Sequence, residues 1–368
     1  MTSALMTLLA AAVLSIAGLE AHDPSRSERP DSVMRLSPSC FVSRVTGKPL
    51  GVETFPSPND TPRDWQLGGT DLGIMWDMED GRVGIIFGDS YGAEAVPRAG
   101  GPNETFNDWR SNVLAFSSDT NLADGLTLDG MAPSENEPGR AREIMFSAKT
   151  GPDHDYTTIP SGALHVNGKD YIHYWNLKNW DGWRINYASF YCSEDHGVTW
   201  HACPEVIFGA DSHFGMVSMA KKDGYVYMMG CRAGRQDLPY LCRFEEQDIL
   251  KRDRYEYWNG NTWIRGREQA GIPLFNQPLG ESSLFFHPVH KRWILFSTGR
   301  SHVMYRTAKE ITGPWSEPRM LFDANGSYAP MIHPFNADAD KLYYNMSIWT
   351  PYNVFFMCSD ISFEPSDR

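Results

Sequence analysis

The segment 69–89 reads Gly69-Thr70-Asp71-Leu72-Gly73-Ile74-Met75-Trp76-Asp77-Met78-Glu79-Asp80-Gly81-Arg82-Val83-Gly84-Ile85-Ile86-Phe87-Gly88-Asp89. Two apolar runs flank a turn at 78–81, a pattern that predicts a β-hairpin. With Asp80 at the centre of the turn, Asp71 and Asp89 are expected directly opposite each other. Opposed residues of an antiparallel pair hold their Cβ atoms about 4.5–5.5 Å apart.

Two carboxylates at that spacing repel each other, so their pKa values separate and the pair can supply an acid and a base. Hydrolysis of a glycosidic bond uses such a pair. Glycines beside both aspartates would let a ligand approach closely. The alternative is that both are solvated turn residues.

The hairpin is the first of five similar units, each a strand, a tight turn, a second strand and two further strands. The units open near residues 71, 159, 214, 280 and 327. Helical composition is confined to residues 245–252. Four-stranded units repeated around an axis make a β-propeller. We therefore predict an all-β fold, a five-bladed β-propeller of four-stranded antiparallel blades over 33–368. The N-terminal strand, 33–45, would complete the last blade.

One turn has a motif of its own. Ser193-Glu194-Asp195-His196-Gly197-Val198-Thr199-Trp200 matches S-x-D-x-G-x-T-W and resembles the Asp-box turn of sialidases and other propellers. The resemblance implies a structural role, in which Asp195 accepts hydrogen bonds within the turn and Trp200 packs between blades.

Charge restricts the class of partner. The 368-residue chain has a net charge of −13 and a pI near 5.3, and no basic stripe is present. This argues against a nucleic-acid partner and fits a neutral substrate better. The abundant aromatic residues suit sugar stacking, but they equally suit a β core.

The N-terminus indicates export. Residues 4–19 are apolar but short for a membrane span, which predicts a secretory signal over 1–21 with cleavage after Ala21. Residues 22–32 are predicted to be a disordered lead-in. No later stretch is suited to span a bilayer, so we expect a secreted protein without stable membrane association.

Six cysteines fit an exported protein. Their positions around predicted turns, and in the first and last strands, suggest the pairs Cys192–Cys203, Cys231–Cys242 and Cys40–Cys358. The last pair would fasten the two chain ends together. Six cysteines allow fifteen connectivities, and buried free thiols are the alternative.

Propeller geometry selects candidate site residues, because the start of each innermost strand and the end of the next strand lie at the same mouth. The residues selected in this way are Asp71, Asp89, Tyr91, Ser161, Trp175, Asn176, His213, Arg232, Glu281, Arg300, Tyr328 and Trp349. Three converging carboxylates, Asp71, Asp89 and Glu281, are costly unless they have a function. We expect Asp71 and Asp89 to be catalytic and Glu281 to tune the acid or bind a hydroxyl. Arg110 is expected either to pair with an acid or to form a surface salt bridge.

No cofactor is predicted. Histidines at 154, 173, 213, 287 and 333 lack metal-ligand spacing, so no metal site is expected, although a structural calcium ion is left open. We expect a monomer that binds a polysaccharide.

Three first-blade motifs and one later motif resemble glycoside hydrolase family 183, a formerly uncharacterised propeller family. The motifs are Gly69-Thr70-Asp71-Leu72-Gly73, Phe87-Gly88-Asp89-Ser90-Tyr91, Trp109-Arg110-Ser111-Asn112 and Gly280-Glu281-Ser282. The resemblance implies endo-D-arabinanase activity on α-linked D-arabinofuranose chains of arabinogalactan and lipoarabinomannan, with Asp71 and Asp89 as essential acids.

Two other functions stay open: a furanosidase acting on L-arabinan or fructan, and a sugar-binding propeller without catalysis. The stereochemical outcome is also open. Carboxyl groups about 5–5.5 Å apart imply retention, and about 6.5–9.5 Å implies inversion.

Overall fold

A computed structural model describes residues 32–95, 107–299, 302–323 and 326–365. Within these ranges the chain forms five antiparallel sheets around an axis, so the predicted five-bladed β-propeller is confirmed. The predicted signal and lead-in lie outside the described residues, except Ser32, which begins the first strand.

The strands follow the blades in chain order. The N-terminal strands are β1 (Ser32–Leu36) and β2 (Cys40–Arg44). The first blade contains β3 (Leu72–Asp77), β4 (Val83–Phe87), β5 (Val113–Ser117) and β6 (Gly130–Met131). The second contains β7 (Thr157–Val166), β8 (Lys169–Asn179), β9 (Arg184–Ser193) and β10 (His201–Gly209). The third contains β11 (Met216–Lys222), β12 (Tyr225–Cys231), β13 (Tyr240–Glu245), β14 (Glu256–Trp258) and β15 (Trp263–Arg265). The fourth contains β16 (Ser282–His287), β17 (Arg292–Thr298), β18 (Val303–Ala308) and β19 (Arg319–Phe322). The fifth contains β20 (Ser327–Ile332), β21 (Lys341–Ile348) and β22 (Asn353–Pro365).

The ring closes through the chain ends. β1 and β2 both pair with β22, so the N-terminus completes the fifth blade as predicted. The innermost strands β3, β7, β11, β16 and β20 pack in sequence, and β20 returns to β3. The apolar core lies between adjacent blades. At one such boundary Phe296 and Tyr344 meet edge to face at 5.0 Å, a geometry that aromatic pairs prefer.

The first hairpin departs from the predicted register by one residue. Asp77 pairs with Val83 and Ile74 with Ile86, which places Asp80 at the centre of the turn as predicted. A bulge then shifts the pairing, so Leu72 faces Phe87, and the Gly88 N–H donates to the Asp71 carbonyl at 3.1 Å. The prediction that Asp71 directly opposes Asp89 is therefore wrong.

The fifth blade holds this bulge in place. Ser347 Oγ accepts from the Leu72 N–H at 2.8 Å, and Asn345 Nδ2 donates to the Gly73 carbonyl at 3.0 Å. Leu72 and Gly73 both have positive φ, 64° and 71°. Glycine adopts this conformation readily, whereas a branched residue such as leucine does so only when its surroundings impose it.

Helices are few and short among the residues that the structure describes. The α-helix α1 (Thr61–Trp65) follows Asp60, whose side chain caps it, and was not predicted. The segment 245–252, which has helical composition, contains only short 3₁₀ turns. The 3₁₀ helices are Asp181–Trp183, Glu246–Asp248, Arg252–Arg254 and Glu268–Ala270. In the part of the chain described, no helix is long and apolar enough to cross a membrane.

The Asp-box turn has the predicted structural role. Asp195 Oδ1 accepts from the Thr199 N–H and from Ser193 Oγ, both at 2.8 Å. The Trp200 indole meets Trp76 of the first blade edge to face at 6.4 Å. The turn therefore joins the first two blades.

All six cysteines are free thiols in the structure, which is the alternative left open by the sequence. Cys40 and Cys358 are cross-strand partners, as the predicted pairing requires. Cys231 and Cys242 are not, because Cys242 faces Met228, three residues from Cys231. That proposed pairing is wrong in register.

Candidate active site

An axial cavity of about 750 Å³ opens at the mouth where the innermost strands begin. All five blades contribute to its lining. Eight of the predicted residues line it: Asp71, Asp89, Tyr91, Ser161, Trp175, Glu281, Tyr328 and Trp349. The propeller rule therefore located the cavity correctly.

Asp71 lies just before β3 and turns toward the fifth blade. The Tyr328 hydroxyl donates to Asp71 Oδ2 at 2.9 Å. Oδ1 is buried, and no partner for it is found among the described residues. Burial, reinforced by the negative charge of Asp89, raises the pKa of Asp71 to about 8, although hydrogen bonds with Tyr328 and Tyr352 oppose this rise. Asp71 is therefore mainly protonated at neutral pH.

Asp89 follows β4 and turns toward the second blade. Trp109 Nε1 and Thr157 Oγ1 both donate to Asp89 Oδ1, at 2.8 and 2.9 Å. Burial raises the pKa of Asp89 to about 6, while these two hydrogen bonds and the charge of Lys149 limit the rise. Asp89 is therefore mainly ionised at neutral pH.

The bulge explains how the two acids share one cavity without facing each other. Because the register slips at Gly73, Asp71 lies level with Gly88 instead of Asp89. The absence of a side chain at Gly88 leaves room for the Asp71 carboxylate, since an added Cβ would overlap Asp71 Oδ1. The carboxylates thus reach the cavity from the two flanks of the first blade, and they differ in protonation.

Glu281 binds Arg235 through two parallel hydrogen bonds. Arg235 Nη2 donates to Glu281 Oε1 at 2.8 Å, and Nε donates to Oε2 at 3.1 Å. The Arg235 guanidinium also lies over the rings of Trp183 and Tyr328, at 5.2 and 5.5 Å from their centroids. This arrangement fixes a cation and a carboxylate on the cavity wall opposite the first blade.

Aromatic side chains form two walls of the cavity. Trp175 stacks on Trp183 at 5.7 Å, and both contact Trp180 edge to face. On the other side, Trp349 contacts Tyr328 edge to face at 6.3 Å. Trp180 and Trp349 each leave about two-fifths of their surface exposed. Such faces can stack on a sugar ring or another flat apolar ligand.

Four predicted residues lie outside the cavity lining. Asn176 is buried and donates to Asp155 Oδ1 at 2.8 Å. His213 binds Asp237 at 2.9 Å and stacks on Tyr240. Arg232 is exposed and lies 3.9 Å from the same Asp237.

The fourth, Arg110, is buried, but it does not pair with either proposed catalytic acid. It donates to the backbone carbonyls of Gln66 and Ala141 and lies 3.5 Å from Asp108. The acid beside Arg110 is therefore Asp108, which is not one of the two proposed catalytic acids. The remaining predicted residue, Arg300, lies outside the described residues.

Three contributors to the site were missed. Trp109 and Thr157 hold Asp89, and Arg235 holds Glu281. Trp109 belongs to the motif Trp109-Arg110-Ser111-Asn112. Thr157 is the first residue of β7, and the starts of the innermost strands lie at the cavity end of the propeller. Arg235 lies in a loop beyond β12, and no sequence signal marked it.

One group of metal-ligating side chains has suitable spacing among the residues described: His165, Asp170 and His196. It lies beside the β7–β8 turn, whereas the β7 residues that line the cavity, Ile159 to Ser161, lie nearer the start of that strand. The proposed catalytic acids are not part of it.

The profile of a family described as a domain of unknown function, DUF4185, matches residues 56–358. The chain belongs to this family. The match spans all five blades, from the segment before α1 to β22, and includes Asp71, Asp89 and Glu281.

A relative from Aspergillus versicolor, notoamide biosynthesis cluster protein J', is 28% identical over 314 residues. The alignment covers 79% of this chain and 83% of the relative. The chain therefore spans most of that protein.

Solved structures share the fold. A candidate hydrolase from Bacteroides ovatus has a TM-score of 0.58 and 13% identity, over 82% of this chain and 87% of its own. A protein of unknown function from Dyadobacter fermentans has a TM-score of 0.50 and 11% identity, over 91% and 100%. At these identities the likeness is one of fold alone.

Proposed function

We propose that this protein is a secreted glycoside hydrolase that cleaves internal α-D-arabinofuranosidic bonds of arabinogalactan and lipoarabinomannan-type arabinan. The observation that carries the proposal is the pair Asp71 and Asp89, two buried carboxyl groups on one cavity whose pKa values lie on either side of neutrality. Glycosidases divide the roles of acid and of base or nucleophile between two such groups.

Asp71 is the proposed general acid. Tyr328 donates to Oδ2, which leaves Oδ1, buried and without a protein partner among the described residues, to carry the proton that the leaving oxygen requires. A carboxyl group with a pKa near 8 retains that proton at neutral pH. Proton transfer to the leaving oxygen in the transition state typically accelerates such a reaction about 10²–10⁴-fold.

Asp89 is the proposed base or nucleophile. Trp109 and Thr157 hold Oδ1, and Oδ2 takes part in neither hydrogen bond. The fixed carboxylate can therefore activate water or attack the anomeric carbon through Oδ2. Positioning a reacting group in this way lowers the entropic cost of reaching the transition state.

The rest of the cavity suits a neutral sugar chain. Trp180 and Trp349 offer exposed ring faces on opposite walls. The Arg235–Glu281 pair offers donors and acceptors for hydroxyl groups. The choice of D-arabinan among sugars rests on the first-blade motifs and on their resemblance to the endo-D-arabinanases.

The test is release of reducing ends from purified arabinogalactan by wild type, Asp71→Asn, Asp89→Asn and Asp77→Asn. Asp77 is an exposed acid at the far end of the same hairpin, so its variant is the matched control. We expect arabino-oligosaccharides from wild type and the control, and about 10²–10⁴-fold lower turnover from the other two. Near-normal turnover in either cavity variant would defeat the assignment.

The same assay, repeated with L-arabinan and fructan as substrates, separates the alternatives. Release of monosaccharide alone would indicate exo action, and activity confined to L-arabinan or fructan would indicate a different furanosidase. Binding without release from any of these polymers would indicate a sugar-binding propeller. Each of these results contradicts the proposed endo-D-arabinanase.

A second candidate function comes from the Aspergillus relative. Its name assigns it to a biosynthesis cluster, and it aligns with most of this chain at 28% identity. An enzyme of that kind would act on a small molecule in the same cavity. It would leave arabinan intact, and the arabinogalactan assay therefore distinguishes the two.

A further inference from the structure

A cluster of three side chains lies at the end of the second blade away from the axial cavity. His165 and Asp170 are opposed in the β7–β8 hairpin, and His196 comes from the Asp-box turn between β9 and β10. Their ligand atoms all lie within 4.8 Å of one another. The two imidazole rings are parallel, with centroids 5.7 Å apart.

Asp170 is the centre of this cluster and is fully buried. Its Oδ1 accepts from Trp76 Nε1 at 2.8 Å and contacts His165 Nδ1 at 3.0 Å. Its Oδ2 is buried without a hydrogen-bond partner among the described residues, and it faces His196 Nδ1 at 4.0 Å. A buried carboxylate oxygen without a partner is costly and is normally satisfied by a donor, water or a cation.

We propose that His165, Asp170 and His196 bind a zinc-type divalent transition-metal ion that joins the two hairpins of the second blade. A site of two imidazoles and one carboxylate suits Zn²⁺ better than Ca²⁺ or Mg²⁺, which prefer oxygen ligands alone. The metal would occupy the gap in front of Asp170 Oδ2, with water completing its coordination. A contraction of the ligand atoms from the present spacing would accompany binding, since Zn–N and Zn–O bonds measure about 2.0–2.2 Å.

The surroundings have the features of a supported metal site. The Trp76 indole orients the carboxylate from the first blade, as outer hydrogen bonds do around metal ligands. Asp80, also from the first blade, lies 3.7 Å from His196 Nδ1, but it is already paired with Arg82. We therefore do not count Asp80 as a ligand. His196 is partly exposed, which gives the ion a route of entry.

The sequence did not reveal this site because its ligands do not follow a short metal-binding spacing. His165 and Asp170 are brought together by a hairpin turn, and His196 joins them from a second hairpin. The Asp-box motif explains the turn around His196 but not the histidine itself, since that position is variable in the pattern.

The test is calorimetric titration of metal-free, untagged full-length protein with Zn²⁺, followed by Co²⁺ absorption spectroscopy. We expect one Zn²⁺ per chain and a visible Co²⁺ spectrum of a four- or five-coordinate site. His196→Asn and Asp170→Asn should weaken binding at least about tenfold. Asparagine suits position 196 because His196 has a φ of 53°, a conformation that asparagine tolerates.

His302→Asn is the matched control. His302 is similarly exposed and is paired with Asp323 at 2.9 Å, but it belongs to no metal-ligating group among the described residues. It should bind Zn²⁺ as wild type does. Absence of binding by wild type, or unchanged binding by folded His196→Asn, would overturn the proposal. Loss of binding in His302→Asn would do the same, because it would place the ion elsewhere. Circular dichroism of each variant verifies folding, and His196→Asn keeps the test valid if Asp170→Asn does not fold.

Discussion

The Tyr328 hydroxyl donates a 2.9 Å hydrogen bond to Asp71 Oδ2, and this bond joins the fifth blade to the proposed general acid of the first. The bond favours the ionised carboxylate and so lowers the pKa of Asp71 relative to burial alone. The fifth blade therefore lowers the upper pH limit at which Asp71 can still donate a proton.

Tyr328→Phe should move the alkaline limb of the kcat/KM profile to higher pH, because the pKa of Asp71 rises when the hydrogen bond is removed. The acidic limb should stay in place. The check is the pH dependence of arabinan cleavage, with Tyr305→Phe as control, since the Tyr305 hydroxyl binds the Leu36 N–H far from the cavity. An alkaline limb that stays fixed or moves downward contradicts this role.

Thr157→Val should move the acidic limb of the kcat/KM profile. The Thr157 hydroxyl lowers the pKa of Asp89, so its removal should raise that pKa and move the acidic limb to higher pH. Valine preserves the side-chain shape, and the fold should be retained. The same pH series measures the effect, and an unchanged acidic limb would show that Asp89 does not control it.

Gly88→Ala should reduce turnover with little change in the fold. An added Cβ would overlap Asp71 Oδ1, so the carboxyl group must move from its position. Displacement of a catalytic group by about 1 Å can cost on the order of 10²-fold in rate. Gly130→Ala in β6 is the control, because a Cβ there meets nothing within 4 Å. Similar kinetics for the two variants would argue against Asp71 as the acid.

Arg235→Gln should lower kcat/KM by about 10–100-fold, the range expected for loss of hydrogen bonds between charged groups. Without Arg235, Glu281 loses its two-point partner on the cavity wall. Arg232→Gln removes a nearby exposed arginine that does not line the cavity and should be neutral. Equal effects of the two substitutions would contradict a binding role for the pair.

Asp71→Asn should make the protein relatively more stable at alkaline pH. Because burial raises the pKa of Asp71 in the folded state, its stabilising contribution is complete at low pH and is lost as the pH rises through about 8. Asparagine cannot ionise, so the melting temperature of the variant should fall less than that of wild type between pH 6 and 9. Equal decreases in the melting temperatures of wild type and variant would mean that Asp71 does not have a raised pKa in the folded protein.

The architecture and the location of the cavity could be predicted from the sequence because they depend on local signals. Turn residues such as Asn167-Gly168 and Asp223-Gly224 fixed the hairpins, and alternating runs fixed the strands. Given the strand order, propeller geometry was then enough to predict that Asp71, Asp89 and Glu281 lie on one cavity.

The register at the end of the first hairpin and the partners of Arg110 could not be predicted, because they depend on contacts between segments that are distant in the sequence. The bulge at Gly73 is imposed by Ser347 and Asn345, almost three hundred residues away in the chain. Arg110 donates a hydrogen bond to the Gln66 carbonyl just after α1, and no residue spacing in the sequence predicts this contact. The register slip had the greatest consequence, since it changes an opposed pair of acids into two acids held by different neighbouring blades.

The most direct test of the central claim is the wild-type pH–rate profile for cleavage of arabinogalactan, scored as new reducing ends and as product size. We expect oligosaccharide products and a bell-shaped kcat/KM profile with limbs near pH 6 and pH 8, set by Asp89 and Asp71. Absence of cleavage at every pH, or a profile without the alkaline limb, would contradict it.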